Sequence, residues 1–86
     1  MELVMYSVFD KAVKAYMRPF FMQSDGQAMR MFIDDVNNPE SPVSKHPKDY
    51  ALFRCGRWYD EGGDLVPEEP VCIARAHELV NTVGEG

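Results

Sequence analysis

At 86 residues the chain has room for one domain, and a hydrophobic fraction of 45% is that of a folded protein, which excludes global disorder. The formal net charge of -5 at pH 7 argues against nonspecific nucleic-acid binding by bulk electrostatics. The charge is unevenly spread, however: residues 1–57 carry eight Lys or Arg against seven Asp or Glu, whereas residues 58–86 set only Arg75 against seven acidic residues.

Leu3 to Phe9 is apolar on both strand faces, with Leu3, Met5 and Phe9 on one and Val4, Tyr6 and Val8 on the other. That pattern predicts a central strand covered on both sides. The N-terminus MELVMYSVFD has an acidic second residue and no basic n-region, so no signal peptide is expected, and no apolar run is long enough to cross a membrane. Asp10 to Lys14 reads as a polar link. Tyr16 to Met22 then returns as a second strand, in a hairpin or near-hairpin, with Pro19 marking an edge or a bulge.

Ser24 and Gln27 form a predicted capping box, Gln27 reaching back to the amide of Ser24, and Asp25 suits the positive end of the helix dipole. Ala28, Met29, Phe32, Ile33 and Val36 share one helical face, and Asn37-Asn38-Pro39 stops the helix. Residues 38–49 contain three prolines, which predicts a loop without regular structure. Tyr50 to Tyr59 is a long strand in which Tyr50, Arg54 and Trp58 alternate with Phe53, Arg57 and Tyr59, and Gly56 suggests a bulge. After the turn Asp60 to Asp64, short strands are expected at Leu65-Val66 and Val71 to Ala74, and a short C-terminal helix from Ala74 to Val80, ending at Gly84. The whole is a small α+β domain over residues 1–86: an antiparallel sheet of four to five strands with one main helix on one face, a core over residues 2–75, and an acidic, partly flexible segment over 60–86.

No enzyme is expected. His46 and His77 have no Ser or Cys partner in a recognisable motif, the adjacent acidic pairs diverge, and Gly62-Gly63 lacks the lysine of a phosphate loop. Cys55 and Cys72 lack zinc-site spacing and read as two buried thiols of a reducing cytoplasm, a single disulfide being the alternative; no metal or cofactor is expected. The remaining candidate is a stacking surface for single-stranded nucleic acid. Tyr50, Trp58 and Tyr59 would offer ring faces, and Arg18, Lys45, Lys48, Arg54 and Arg57 would meet phosphates. The competing reading makes these aromatics the core of a small sheet or a homodimer interface. A chain this short commonly draws stability from a partner copy.

The chain also resembles a known family. PFFMQSDGQAMRMFIDDVNNPESPVSKHPKDYALFRCGRWYDEGGDL is similar to the small nonstructural protein of gokushovirus-type phages, single-stranded DNA phages of the Microviridae. The shared elements are Pro19-Phe20-Phe21, then Asp25-Gly26, Ala28, Arg30 and Phe32, and the helix stop Asn37-Asn38-Pro39. They continue through Lys45-His46-Pro47, Asp49-Tyr50, Leu52-Phe53, Gly56, Trp58 and Asp60, with Tyr6 to Asp10 also fitting. The resemblance implies a non-capsid DNA-binding protein of the infected bacterial cytoplasm, acting in viral DNA replication or packaging. A homo-oligomer on single-stranded DNA is the expected form. The alternative is a dimeric adaptor that binds the replication initiator or the procapsid without touching DNA.

Overall fold

Strand β1 (Glu2–Asp10) is the spine of the molecule in the computed structural model, which describes residues 1–80. It pairs antiparallel with β2 (Ala15–Tyr16), β3 (Phe20–Met22) and β4 (Tyr50–Tyr59), and β4 pairs with β5 (Asp64–Arg75). The five-stranded sheet runs β2-β1-β4-β5, with β3 following β2 along the same edge of β1. The expected single strand from Tyr16 to Met22 is therefore two. The Met17 amide still donates to the Val8 carbonyl at 2.8 Å, but Pro19 has no N–H to give, and pairing resumes only at Phe20.

Helix α1 (Asp25–Val36) lies across one face of this sheet, as an α+β reading requires. Ser24 Oγ accepts the Gln27 amide at 3.3 Å, while the Gln27 side-chain carbonyl accepts the amide of Gln23 at 3.0 Å, one residue earlier than the expected Ser24. Ala28, Phe32 and Val36 are buried against Val4, Tyr6, Val8 and Leu52, and Val43, Ala74 and Ala76 close the ends of this core. Met29 packs at its margin, whereas Ile33 stays 37% exposed because it lies about 100° around the helix from the buried Phe32.

The proline-rich connection is more regular than its composition predicts. Ser41 Oγ accepts the Val43 amide and caps a one-turn helix, α2 (Pro42–Lys45), and a 3-10 turn follows at Pro47–Asp49. Proline in the first turn of a helix costs no hydrogen bond, since its N–H would have no intrahelical partner there, and Pro42 and Pro47 both hold that place.

Two further expectations change in the C-terminal part. Asp64–Arg75 is one continuous edge strand rather than two short ones. Three residues, Glu68 to Pro70, bulge opposite Cys55, which accommodates Pro70 at an edge where a missing donor does least harm. The chain then makes a 3-10 turn, Ala76–Glu78, with Ala76 buried; the predicted helix end at Gly84 lies outside the described residues.

The expected irregularity at Gly56 has a consequence for every side chain beyond it. Met5 pairs with Gly56 and Tyr6 with Arg54, so Cys55 is an extra residue. An insertion of one residue exchanges the two faces of a strand. Tyr50, Leu52 and Arg54 therefore share the helix side with Arg57 and Tyr59, while Ala51, Phe53 and Trp58 share the other. A Cβ on Gly56 would stand 2.6 Å from the Val66 carbonyl oxygen, so glycine is what lets β5 close over the bulge.

The face turned away from α1 carries Leu3, Met5 and Phe9 of β1, as the two-sided apolar pattern implies. Among the described residues no second layer covers it. Ser7 is sealed locally, its hydroxyl donating to the Met17 carbonyl at 2.6 Å, and Ala51 is buried beside Phe9.

Candidate functional site

The eight residues singled out from sequence do not form one surface. Arg54 donates to Asp25 Oδ2 at 2.6 Å, and Asp25 Oδ1 accepts the Tyr6 hydroxyl at 2.6 Å. The pair fastens the N-terminus of α1 to the sheet, where the helix dipole also favours the Asp25 carboxylate. Burial, and then the bond to Asp25, push the Tyr6 phenol well above its ordinary range. Arg57 lies between Glu68 at 3.2 Å and Glu2 at 3.1 Å, and the bond to Glu68 holds its guanidinium more firmly protonated than usual. Both arginines are thus engaged on the helix side.

Tyr50 packs against the core on that side; burial, with the Asp10 carboxylate beside it, raises its phenol pKa. Tyr59 is exposed at the far end of β4, where the charge of Glu2 is the main cause of a raised pKa. Trp58 sits on the opposite face against Phe21, ring centroids 6.4 Å apart, beside Leu3. Arg18 is exposed in the β2–β3 connection and Lys45 is exposed on α2. Of the eight, two border the cavity beside a group of aromatic and basic side chains on the uncovered face: Lys48, and Tyr50 from the edge of the helix side.

That group lies where β1, β2 and β4 meet. The rings of Phe9, Tyr16 and Phe53 form a cluster with centroid separations of 4.8, 5.5 and 6.2 Å. Register makes the cluster: Phe9 pairs with Tyr16 on β2, and Ser7, its neighbour on the same face, pairs with Phe53 on β4. Beside it is a cavity of about 400 Å³ with Phe9, Ala51, Phe53 and Cys72 at its base and Lys11, Lys48, Arg75 and His77 around it. The Lys11 amide donates to the Asp49 carbonyl at 2.8 Å, which brings the turn after β1 to the 3-10 turn carrying Lys48. Arg75 arrives because it pairs with Ala51.

A model of the phage ORF5 protein family matches residues 3–79. The chain belongs to that family. No curated protein and no solved structure matches it. The matched region of this phage protein begins in β1 and ends just after the last 3-10 turn, so it takes in the cluster, the cavity and all of the surrounding cations.

Among the described residues Lys11, Lys48 and Arg75 make no ion pair within the chain, in contrast to Arg54 and Arg57. Cys72 is a half-buried free thiol whose Sγ lies 3.8 Å from the Ala74 carbonyl oxygen. Cys55, at the bulge, is also free, and burial raises its pKa, which keeps it as an unreactive thiol. No described helix is long and apolar enough to cross a membrane.

The sequence reading passed over Phe9, Phe53, Lys11 and Arg75. A signal for the first two was present: β1 is apolar on both faces, and a small domain with one helix can cover only one. Nothing local marks Lys11 or Arg75, which are separated by sixty-four positions in the chain and meet only through strand pairing.

Proposed function

We propose that this phage protein binds single-stranded DNA on the uncovered face of its sheet, as a homo-oligomer acting in viral DNA replication or packaging. The observation that carries this reading is the three-ring cluster of Phe9, Tyr16 and Phe53 adjoining a cavity ringed by cations that have no ion pair in the chain. Exposed ring faces accept bases of any sequence, and neighbouring ammonium and guanidinium groups meet the phosphates between them. Lys11, Lys48 and Arg75 take the phosphate role, with Arg18 and Lys45 as outlying contacts. Arg54 and Arg57 serve the fold.

The acidic hairpin tip does not oppose this. Glu61 and Asp64 belong to the β4–β5 tip, Glu68 is bonded to Arg57 and Glu78 is paired with His77, while the cavity is at the other end of β4 from the tip. Ten strand residues put about 30 Å between those ends. At physiological salt that is several Debye lengths of about 8 Å, so the two charge groups act almost independently.

A second reading has its own observation. Leu3, Phe21 and Trp58 line an apolar hollow of about 220 Å³ near the acidic end, a surface suited to a protein partner such as the replication initiator or the procapsid. Fluorescence anisotropy of a labelled oligonucleotide separates the two. DNA binding predicts an affinity that falls steeply between low and moderate salt and is lost in a Lys48→Ala, Arg75→Ala double variant. A folded sample that leaves the oligonucleotide free even at low salt rejects the DNA reading and leaves the adaptor.

A further inference from the structure

We propose that copies of this chain associate head to tail, the acidic tip of the β4–β5 hairpin of one copy entering the cation-ringed cavity of the next. Charge complementarity between the two ends of the sheet carries the inference. At the tip, Glu61 and Asp64 flank Gly62 and Gly63, and Leu65 beside them is 51% exposed. Among the described residues neither Glu61 nor Asp64 makes an ion pair, whereas Asp60 is held by the N-terminal ammonium at 2.9 Å. The cavity offers the converse: three cations without ion pairs around an apolar base.

The shapes agree as well. A cavity of about 400 Å³ is at the lower end of the range for ligand sites, about 300–1,000 Å³, and takes a few side chains rather than a whole element. The tip is narrow for the same reason that it turns. Gly63 adopts a φ of 71°, its amide donates to the Tyr59 carbonyl at 2.9 Å, and neither glycine has a side chain to obstruct entry.

The contact cannot form within one chain. The tip and the cavity belong to opposite ends of β4, held about 30 Å apart by a paired strand of ten residues. Two complementary surfaces that cannot meet in one copy can meet between copies. Such an interface is heterologous, so every added copy leaves one tip and one cavity open until a ring closes. Resting on the reading of this cavity as the DNA site, a further consequence is that hairpin tip and DNA phosphate compete for the same cations, so an unclosed chain of copies binds DNA at the one cavity it leaves open.

Charge reversal tests the contact. The tip variant carries Glu61→Lys and Asp64→Lys, and the cavity variant carries Lys48→Glu and Arg75→Glu. In sedimentation at low salt the wild type is expected to associate with rising concentration. Each variant alone should show a dissociation constant raised on the order of tenfold or more. An equimolar mixture should recover association, because the reversed tip of one matches the reversed cavity of the other. Thermal melts check that both variants fold; the tip substitutions fall at an exposed turn.

A wild type that stays monomeric at every concentration overturns the proposal. So does association that neither variant weakens, or a mixture that fails to recover it. Oligonucleotide anisotropy on the same samples keeps the two readings apart. Recovery on mixing without DNA binding upholds the head-to-tail contact and rejects the DNA site. DNA binding with association indifferent to charge reversal does the opposite.

Discussion

The two faces of the sheet use similar side chains to opposite ends. On the helix side, Tyr6 and Arg54 converge on Asp25, and Tyr6, Phe32 and Leu52 disappear from solvent. On the other side, Phe9, Tyr16 and Phe53 gather just as closely, and Lys48 and Arg75 stand beside them, yet no described element covers the group. The difference is not in residue type. It is in whether a carboxylate and a helix arrive to satisfy what the sheet presents. Where they do, arginine and aromatic rings become a fastening for the fold. Where they do not, the same chemistry is left available to a ligand or a partner.

The comparison can be broken most severely at Phe32. Its ring is 1% exposed at the centre of the covered face, and Phe32→Ala should lower stability by about 3–5 kcal/mol, read as a fall in the urea midpoint. A domain of this size commands only about 5–10 kcal/mol in total, so part of the sample should already be unfolded in buffer.

Tyr6 gives a smaller effect with a distinctive dependence on pH. Its folded-state pKa lies above the ordinary value near 10, mainly through burial and then through the bond to Asp25. Below pH 10 the phenol is protonated in both states and its contribution is constant. As pH rises past 10 the unfolded chain releases the proton first, so the native state binds more protons and stability falls. Tyr6→Phe should cost about 1 kcal/mol at pH 7 through the lost hydrogen bond. It should also make the decline above pH 10 shallower, without abolishing it, because Tyr50 and Tyr59 are raised too. Urea titrations at stepped alkaline pH measure both slopes, and equal slopes would contradict the assignment.

The smallest change in stability is expected on the open face. Tyr16 is 45% exposed, and Tyr16→Ser should move stability by only about 0.5 kcal/mol. If the open face binds DNA, the same substitution should weaken the oligonucleotide complex several-fold, since a stacked ring contributes about 1–3 kcal/mol per base. Loss of affinity without loss of stability is the sharpest form of the contrast between the faces.

Much of this was legible in the chain. The helix from Asp25, its Ser24 cap, the long strand from Tyr50 and the central position of β1 follow from patterns that act over a few residues: period, capping and turn chemistry. The one-turn helix at Pro42 is hidden by its composition, because proline breaks a helix interior yet fits the first turn, where Pro42 stands. The continuous β5 is not visible locally, because pairing with β4, rather than its own proline-containing composition, holds it extended.

The sequence by itself determined the α+β class, where the main helix lies, and that β1 would be apolar on both sides. It also carried the aromatic and basic residues that a nucleic-acid interface would need. Only the tertiary structure decided which of them share a surface. One extra residue at Cys55 exchanges the faces of β4, sending Trp58 away from Arg54, and strand pairing brings Lys11, Lys48 and Arg75 to one rim. The physical reason is range: propensity and periodicity act between near neighbours, whereas register, the bulge and the pairing of opposite charges act between residues that are distant in sequence until the chain has folded.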